Sequence, residues 1–230
     1  MELTNKIIND DCFEVMKKLP DCCFDDTFTS PPYNRVRNDT YEYFDDINDN
    51  YCDMLIELAN QCLRLTKGNV IINIQQNMCN KEDFFKWLGV FAKNIKGIVI
   101  WEKLNPQPAT NYRDDGTYSV TNAFEYFVIM GKDNKEFRAN SKFSNVITSY
   151  VNSEHFEGHG AVMKLSVAEK MILNFTAKNG LVFDPFMGLG TTAIACHKNQ
   201  RSYFGCEISS QYYEQCMKRV SDSKKQLTLL

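Results

Sequence analysis

The fold of this chain is decided by the stretch Leu181-Val182-Phe183-Asp184-Pro185-Phe186-Met187-Gly188-Leu189-Gly190-Thr191-Thr192. A short apolar strand leads into a turn, and a helix over about 192–199 follows. Gly188 and Gly190 let the backbone of the turn approach a ligand at the N-terminus of that helix. The next predicted strand ends in Glu207, whose carboxylate suits the hydroxyl groups of a ribose. The pattern predicts a nucleotide site at the carboxyl ends of parallel strands.

Outward from this stretch, short apolar runs alternate with amphipathic segments along the whole chain. The predicted strands are 6–9, 24–29, 70–74, 98–101, 123–130, 181–184 and 203–207, and the predicted helices are 11–19, 51–65, 81–93, 166–177, 192–199 and 209–220. Such alternation with short connections predicts an α/β fold, a doubly wound and mostly parallel sheet with helices on both faces. We expect a single domain over 1–230 with a small recognition insert.

The composition fits a globular protein of 230 residues with a formal net charge of −3. No apolar run reaches membrane-spanning length and no signal peptide is evident, so we expect a cytoplasmic protein without membrane contact. The nine cysteines form no Cys-x-x-Cys pair and have no histidine at ligand spacing. Reduced, mostly buried thiols and no metal site are therefore expected.

A second stretch, Thr29-Ser30-Pro31-Pro32-Tyr33-Asn34, follows the strand over 24–29. The two prolines fix two φ angles and remove two N–H donors, so the turn offers the Ser30 hydroxyl and carbonyl oxygens as acceptors. Tyr33 is predicted to cover a planar ligand that carries an amino group. The simpler alternative is a tight loop that ends a strand.

An acid also follows the first predicted strand. Asp11 has two interpretations, as the N-cap of the helix over 11–19 or as a carboxylate that faces a ligand crevice at the sheet edge. The polar stretch 35–50 has no apolar period and is predicted to be a surface loop whose Arg35 and Arg37 are available for phosphates.

Two motifs resemble those of the S-adenosylmethionine-dependent DNA amino-methyltransferases. Asp184-Pro185-Phe186-x-Gly188-x-Gly190-Thr191-Thr192 is similar to their cofactor motif, and Thr29-Ser30-Pro31-Pro32-Tyr33 is similar to their catalytic motif. The catalytic motif comes first, as in the beta group of that family, whose recognition segment lies between the two. The resemblance implies a Rossmann-like methyltransferase fold with a recognition region at about 105–158.

The resemblance extends to individual residues. Asn9-Asp10-Asp11-Cys12 is similar to a Gly-Asp-Cys motif that contacts the cofactor's adenine, with Asp10 in place of Gly. The stretch 159–164 resembles His-Pro-Ala-x-Phe-Pro without either proline, which leaves the roles of His159 and Met163 open. The implied S-adenosylmethionine contacts are Asp11, Cys12, Asp184, Pro185, Phe186, Gly188, Gly190, Thr191, Thr192 and Glu207. The implied catalytic residues are Ser30, Pro31, Pro32 and Tyr33.

The resemblance also implies double-stranded DNA as the partner and raises a homodimer as an expectation. The residues that we expect to contact DNA are Asn34, Arg35, Arg37, Arg138 and Lys142. Since an amino group is buried in a duplex, the target base must be flipped out. Ser30 at the first variable motif position favours cytosine N4 over adenine N6, because serine is commoner there among cytosine enzymes of the family.

Three other functions are weighed against this one. A nicotinamide enzyme would need a second nucleotide-binding half after Glu207. A non-catalytic sensing or DNA-binding module would be expected to lack the acceptor turn. Methylation of RNA or of a protein Gln is the third alternative, and Ser30 counts against a protein substrate because the relatives that act on protein usually carry Asn at that position.

Overall fold

The structure, a computed structural model, describes residues 2–34, 42–43, 45, 47–106, 116–117, 120–133, 138–150, 156 and 158–228. Arg35 and Arg37 lie outside these described residues. The strands within them are β1 (Lys6–Asn9), β2 (Asp26–Thr29), β3 (Val70–Ile74), β4 (Ile95–Lys103), β5 (Phe124–Met130), β6 (Val146–Ser149), β7 (Leu181–Asp184) and β8 (Ser202–Glu207). The helices are α1 (Cys12–Lys17), α2 (Tyr51–Leu65), α3 (Lys81–Val90), α4 (Leu165–Phe175), α5 (Thr191–Lys198) and α6 (Ser210–Thr228).

The strands form one sheet in the order β1-β8-β7-β2-β3-β5-β4-β6. β5 is antiparallel to both of its neighbours, β3 and β4, and the other neighbouring pairs are parallel. Seven strands of the sheet therefore run in one direction and β5 runs against them. The predicted α/β fold with a mostly parallel sheet is confirmed.

Helices cover both faces of the sheet. Side chains of α1, α2 and α3 pack into one hydrophobic core and those of α4, α5 and α6 into a second. Along β3, Val70, Ile72 and Ile74 point to the first core and Ile71 to the second. A strand buried on both sides needs apolar residues at successive positions, which explains the β-branched run from Val70 to Ile72. Within the described part of the chain, no helix is long and apolar enough to cross a membrane.

The sheet has one strand that the sequence analysis did not predict. β6 lies inside the expected recognition region at about 105–158, and it pairs with β4 from Ile100↔Val146 to Lys103↔Ser149. Only Ile147 of its four residues is buried, so the strand lacks the apolar run that marks the interior strands. Its pairing with β4, a contact distant in sequence, defines it instead.

The parallel strands all end along one edge of the sheet, which we call the site edge. Its terminal residues are Asn9, Thr29, Ile74, Lys103, Ser149, Asp184 and Glu207. The chain after β4 leaves the sheet at this edge and returns to it at the start of β5. Residues 131–133 and 138–145 lie at the opposite edge, since they follow the end of β5 and precede β6.

A buried carboxyl group lies at that opposite edge. Asp26, the first residue of β2, is buried and its Oδ1 accepts a hydrogen bond from the Asn69 N–H at 2.7 Å. Burial raises the pKa of Asp26 from 3.8 to about 6. The folded state therefore binds this proton more tightly than the unfolded chain does, and the corresponding stability is lost as the pH rises from 3.8 toward 6.

We predict that Asp26→Asn removes this dependence, because the amide keeps the acceptor for Asn69 without a charge. The unfolding free energy of the variant minus that of the parent chain should increase by about 2 kcal/mol as the pH rises from 4.5 to 7. Above pH 7 this difference should change little. Urea unfolding at several pH values measures the difference, with exposed Asp222→Asn as the control. A difference that stays constant across this pH range would contradict the prediction.

Candidate functional site

A cavity of about 330 Å³ opens at the site edge and is lined by parts of both motifs. Among the predicted residues, its lining contains Asp11, Cys12, Ser30, Pro32, Pro185, Phe186, Gly188 and Glu207. A smaller cavity of about 80 Å³ shares Ser30 and Gly188 with it and adds Tyr33, Asp184, Thr191 and Thr192. The acceptor turn and the glycine turn, 150 or more residues apart in sequence, therefore meet in space.

The glycine turn depends on left-handed backbone at both glycines. Gly188 has φ +52° and Gly190, the N-cap of α5, has φ +80°. A Cβ on Gly190 would lie 2.7 Å from Cys216 Sγ on α6, so this glycine is required for packing against that helix. Gly190 lines neither cavity, whereas Gly188 lines both.

Glu207, at the end of β8, is hydrogen-bonded to the glycine turn. Its Oε2 accepts from the Gly188 N–H at 2.8 Å, and its Oε1 accepts from the Ser209 N–H at 2.9 Å. Burial raises the pKa of Glu207, against the effect of these two backbone donors. Each carboxylate oxygen can accept a second hydrogen bond, so the group that orients Gly188 can also accept from a ligand hydroxyl.

Asp184 accepts three hydrogen bonds from protein donors. It accepts from Thr29 Oγ1 at 2.7 Å, from Thr192 Oγ1 at 2.5 Å and from the Phe186 N–H at 3.0 Å. Burial raises its pKa to about 6 despite these donors. The carboxylate therefore joins the end of β2, the first turn of α5 and the loop between β7 and α5 at the smaller cavity.

Asp11 combines both interpretations that the sequence left open. Its Oδ1 accepts from the Phe13 N–H at 2.7 Å, which makes it the N-cap of α1, and it also lines the larger cavity. Its neighbour Cys12 lines the same cavity, and burial raises the pKa of the Cys12 thiol. Cys12 thus presents a neutral thiol to the cavity.

The acceptor turn is clamped by side chains from α2 and from the start of α3. Tyr51 donates its hydroxyl to the Pro32 carbonyl at 2.7 Å. The Tyr33 carbonyl accepts from Asn77 Nδ2 at 3.0 Å and from Asn80 Nδ2 at 2.7 Å. The carbonyls of Pro32 and Tyr33 are therefore used within the protein, whereas Ser30 lines both cavities.

Tyr33 differs from the expected aromatic lid. The residue is only 6% exposed, and its hydroxyl lies 2.7 Å from Asn73 Oδ1 and 3.0 Å from Glu125 Oε2, where it can donate to either. Ser30 Oγ lies 3.0 Å from the same hydroxyl and 3.2 Å from Asn73 Oδ1. The ring thus lines the smaller cavity from a buried position, and its stacking on a base stays a prediction.

His159 and Met163, whose roles the sequence left open, both lie at the cavities. His159 lines both of them, and its Nδ1 accepts from the Ala161 N–H at 3.3 Å. Its ring packs against that of Tyr212, with centroids 4.9 Å apart. Burial lowers the pKa of His159 to about 4, so the imidazole is neutral at pH 7. Met163 lines the smaller cavity.

The predicted DNA contacts that the structure describes, Asn34, Arg138 and Lys142, are not brought together. Asn34 is tied to Asn48, since its Nδ2 donates to the Asn48 carbonyl at 3.0 Å and its Oδ1 accepts from the Asn48 N–H at 2.9 Å. Arg138 and Lys142 belong to the segment at the opposite edge, where the intervening Asn140 donates to the Thr176 carbonyl at 3.1 Å. The structure therefore places these two cations away from the cavities.

Sequence reasoning missed Tyr51, Asn73, Lys103, Glu125 and Tyr212. A usable signal existed for two of them, because Asn73 and Glu125 are polar residues inside otherwise apolar strands. A buried polar side chain must find a partner, so such an interruption indicates a site or a network. Among the residues that the structure describes, no group of three or more His, Cys, Asp or Glu could hold a metal ion.

Comparison with known proteins adds relatives to this geometry. A family model described as DNA methylase, covering N6 and N4 enzymes, matches residues 24–218. M.BslI from Bacillus sp. (strain NEB-606), a type II beta methyltransferase, is 27% identical over 91% of this chain, which spans 27% of that protein. The type II methyltransferase M.HinfI from Haemophilus influenzae is 26% identical over 97% of this chain and 70% of its own length.

Solved structures show the same fold at lower identity. PvuII DNA methyltransferase, described as cytosine-N4-specific, superposes with a TM-score of 0.76 at 14% identity, covering 97% of this chain and 92% of its own. The M1.HpyAVI complex with SAM gives a TM-score of 0.64 at 23% identity, covering 93% and 97%. Because the family model matches most of the sequence, the chain belongs to the DNA methylase family of N6 and N4 amino-methyltransferases.

Proposed function

We propose that this chain transfers a methyl group from S-adenosylmethionine to the exocyclic amino group of a base flipped out of double-stranded DNA, with cytosine N4 as the preferred target. The observation that carries the proposal is that Ser30 and Pro32 line the same cavity as Gly188 and Glu207. A group held by the acceptor turn and a ligand held by the glycine turn would therefore be neighbours. Adenine N6 is the alternative target.

The residues around the larger cavity suit S-adenosylmethionine. The volume of this cavity, about 330 Å³, lies within the range of small-molecule sites. Glu207 and Asp11 offer carboxylate acceptors for hydroxyl and amino groups, and Phe13, Phe186 and Ile208 offer apolar surface to a flat ring. When bound, the cofactor supplies a methyl group on a positively charged sulfur.

The acceptor turn is suited to making the amino nitrogen a better nucleophile. An exocyclic amino nitrogen is a poor nucleophile because its lone pair is delocalised into the ring. Ser30 Oγ and the Pro31 carbonyl are the proposed acceptors that hold its hydrogens and favour a pyramidal nitrogen. Each hydrogen bond contributes about 1 kcal/mol, so most of the acceleration must come from positioning and from fixed dipoles.

On the DNA side, flipping the base costs a few kcal/mol, and stacking on Tyr33 would offset about 1 to 3 kcal/mol. Asn34, Arg35 and Arg37 follow the acceptor turn directly in sequence, so we propose them as contacts near the flipped nucleotide. Arg138 and Lys142 are left out of the proposal, because their segment packs against the end of α4 at the opposite edge.

The choice of base rests on the identity of Ser30. The ring nitrogen next to the amino group is an acceptor in cytosine and in adenine, so hydrogen bonding by a hydroxyl does not by itself separate the two bases. Ser30 Oγ lies 3.2 Å from Asn73 Oδ1, so its proton is also available to that oxygen. The family includes enzymes for both bases, and serine in the motif is the reason for preferring cytosine N4.

Incubation of the protein with duplex DNA and methyl-labelled S-adenosylmethionine tests the proposal directly. After digestion to nucleosides, mass spectrometry should identify N4-methylcytosine. N6-methyladenine would overturn the preferred base and keep the amino-methyltransferase, whereas label on RNA or on protein alone would refute the DNA substrate.

Ser30→Ala should reduce single-turnover methyl transfer by about a hundredfold or more, because a preorganised polar contact to the reacting group is lost. Cofactor affinity, measured by calorimetry, should stay within about twofold. Exposed Ser221→Ala on α6 is the matched control and should leave both quantities unchanged. Transfer at the parent rate in the Ser30 variant would remove Ser30 from the mechanism.

Glu207→Ala should weaken S-adenosylmethionine binding by about tenfold or more, since it removes an acceptor and releases the Gly188 N–H. DNA affinity, measured by fluorescence anisotropy, should remain within about twofold, because Glu207 lies at the proposed cofactor end of the cavity. Glu214→Ala, on the exposed side of α6, serves as the control. Equal cofactor affinity for variant and parent would contradict the assigned role.

A further inference from the structure

A largely buried ion pair lies behind the acceptor turn and is not explained by any motif. Glu125 Oε1 is 2.5 Å from Lys103 Nζ, with side-chain exposures of 7% and 15%. Glu125 lies opposite Trp101 in the β4–β5 ladder, and Lys103 follows two residues later on the same face. Diagonal neighbours of this kind are within reach of long side chains.

The fold alone gives little reason for this pair. Two charges taken out of water lose hydration, and apolar residues of similar volume often give equal or better stability. Between them, Glu125 and Lys103 neutralise their charges and leave Glu125 Oε2 free to serve another group. The described residue that uses this oxygen is Tyr33, whose hydroxyl lies 3.0 Å away.

The contact between Glu125 and Tyr33 affects Ser30 because the two hydroxyl groups have only two protons to donate. The Tyr33 and Ser30 hydroxyls each have one proton, and both lie within reach of Asn73 Oδ1. The amide of Asn73 is fixed with its oxygen toward them, because its Nδ2 donates to the Tyr126 carbonyl at 3.1 Å. If Tyr33 donates to Glu125, it cannot donate to Ser30 Oγ, which lies 3.0 Å away, and the Ser30 proton is directed to Asn73 Oδ1. The lone pairs of Ser30 Oγ then remain available to an incoming N–H.

We propose, on the basis of the proposed function, that Glu125 is a positioning residue whose carboxylate, neutralised by Lys103, holds the Tyr33 hydroxyl and thereby orients Ser30 as an acceptor. Glu125 touches neither the cofactor nor the base. It acts through Tyr33, and its effect belongs to the methyl-transfer step rather than to binding of either substrate.

Glu125→Gln tests this role with almost no change of volume. Lys103 has only donors, so it retains the amide oxygen and turns the amide NH₂ toward Tyr33. Tyr33 must then accept, and its own proton turns to Asn73 Oδ1 or to Ser30 Oγ, where it occupies a lone pair that the incoming N–H needs. We expect the single-turnover transfer rate to fall by about tenfold or more, with KM for DNA and for S-adenosylmethionine within about twofold of the parent values.

A double-mutant cycle with Tyr33→Phe separates positioning from general destabilisation. Without the Tyr33 hydroxyl, Glu125→Gln should have no further effect, so Tyr33→Phe and Tyr33→Phe/Glu125→Gln should transfer at equal rates. Losses that multiply, or an undiminished rate in Glu125→Gln, would overturn the proposal. If Glu125→Gln does not fold, Lys103→Met/Glu125→Gln removes both charges and replaces it in the cycle.

An NMR measurement tests the contact between Tyr33 and Glu125 even if the parent protein transfers no methyl group. In protein with ring-¹³C tyrosine, the Tyr33 resonance is identified by its absence in Tyr33→Phe. It should shift in Glu125→Gln while the resonances of distant tyrosines stay in place. An unchanged Tyr33 resonance would refute the contact, whereas an inactive parent protein with a shifted resonance would refute the proposed function alone.

Discussion

The Asp184 carboxylate holds the two halves of the candidate site together. It accepts from the last residue of β2, Thr29, and from Thr192 in the first turn of α5, so it fixes the residue before Ser30 relative to the glycine turn. A buried carboxylate without such donors would be costly, and three donors satisfy this one. The distance between the methyl donor and acceptor sites that we propose is therefore set by hydrogen bonds inside the protein and does not depend on a ligand.

The direction of the strands explains why the remaining polar groups collect at the same edge. Seven parallel strands end there, and β5, the strand that runs against them, begins there with Phe124 and Glu125. The antiparallel strand thus brings an acid to an edge where the parallel strands bring their carboxyl-terminal residues, including Asn73 one residue before the end of β3. The buried contact among Tyr33, Asn73 and Glu125 follows from this one reversal of direction.

Sequence reasoning predicted the sheet, the glycine turn and the two motifs because each is encoded locally. Val70 to Ile74 is apolar at nearly every position, and Gly188 and Gly190 stand where left-handed backbone is required. It missed β6, whose identity comes from pairing with β4, and it did not show that Tyr33 is buried, because sequence spacing gives no information on the direction of a side chain after two prolines. The contact between Glu125 and Tyr33 could not be predicted from the sequence either, since the two residues meet only through the tertiary fold.

The clamp on the acceptor turn has a consequence for conformational entropy. The carbonyls of Pro32 and Tyr33 are held by Tyr51, Asn77 and Asn80, and the two prolines restrict the backbone between them. Most of the freedom of this turn is therefore lost when the chain folds, before any substrate arrives. A rigid turn requires little ordering upon binding, so affinity for the flipped base that we propose as substrate would reflect the cost of extracting that base from the duplex.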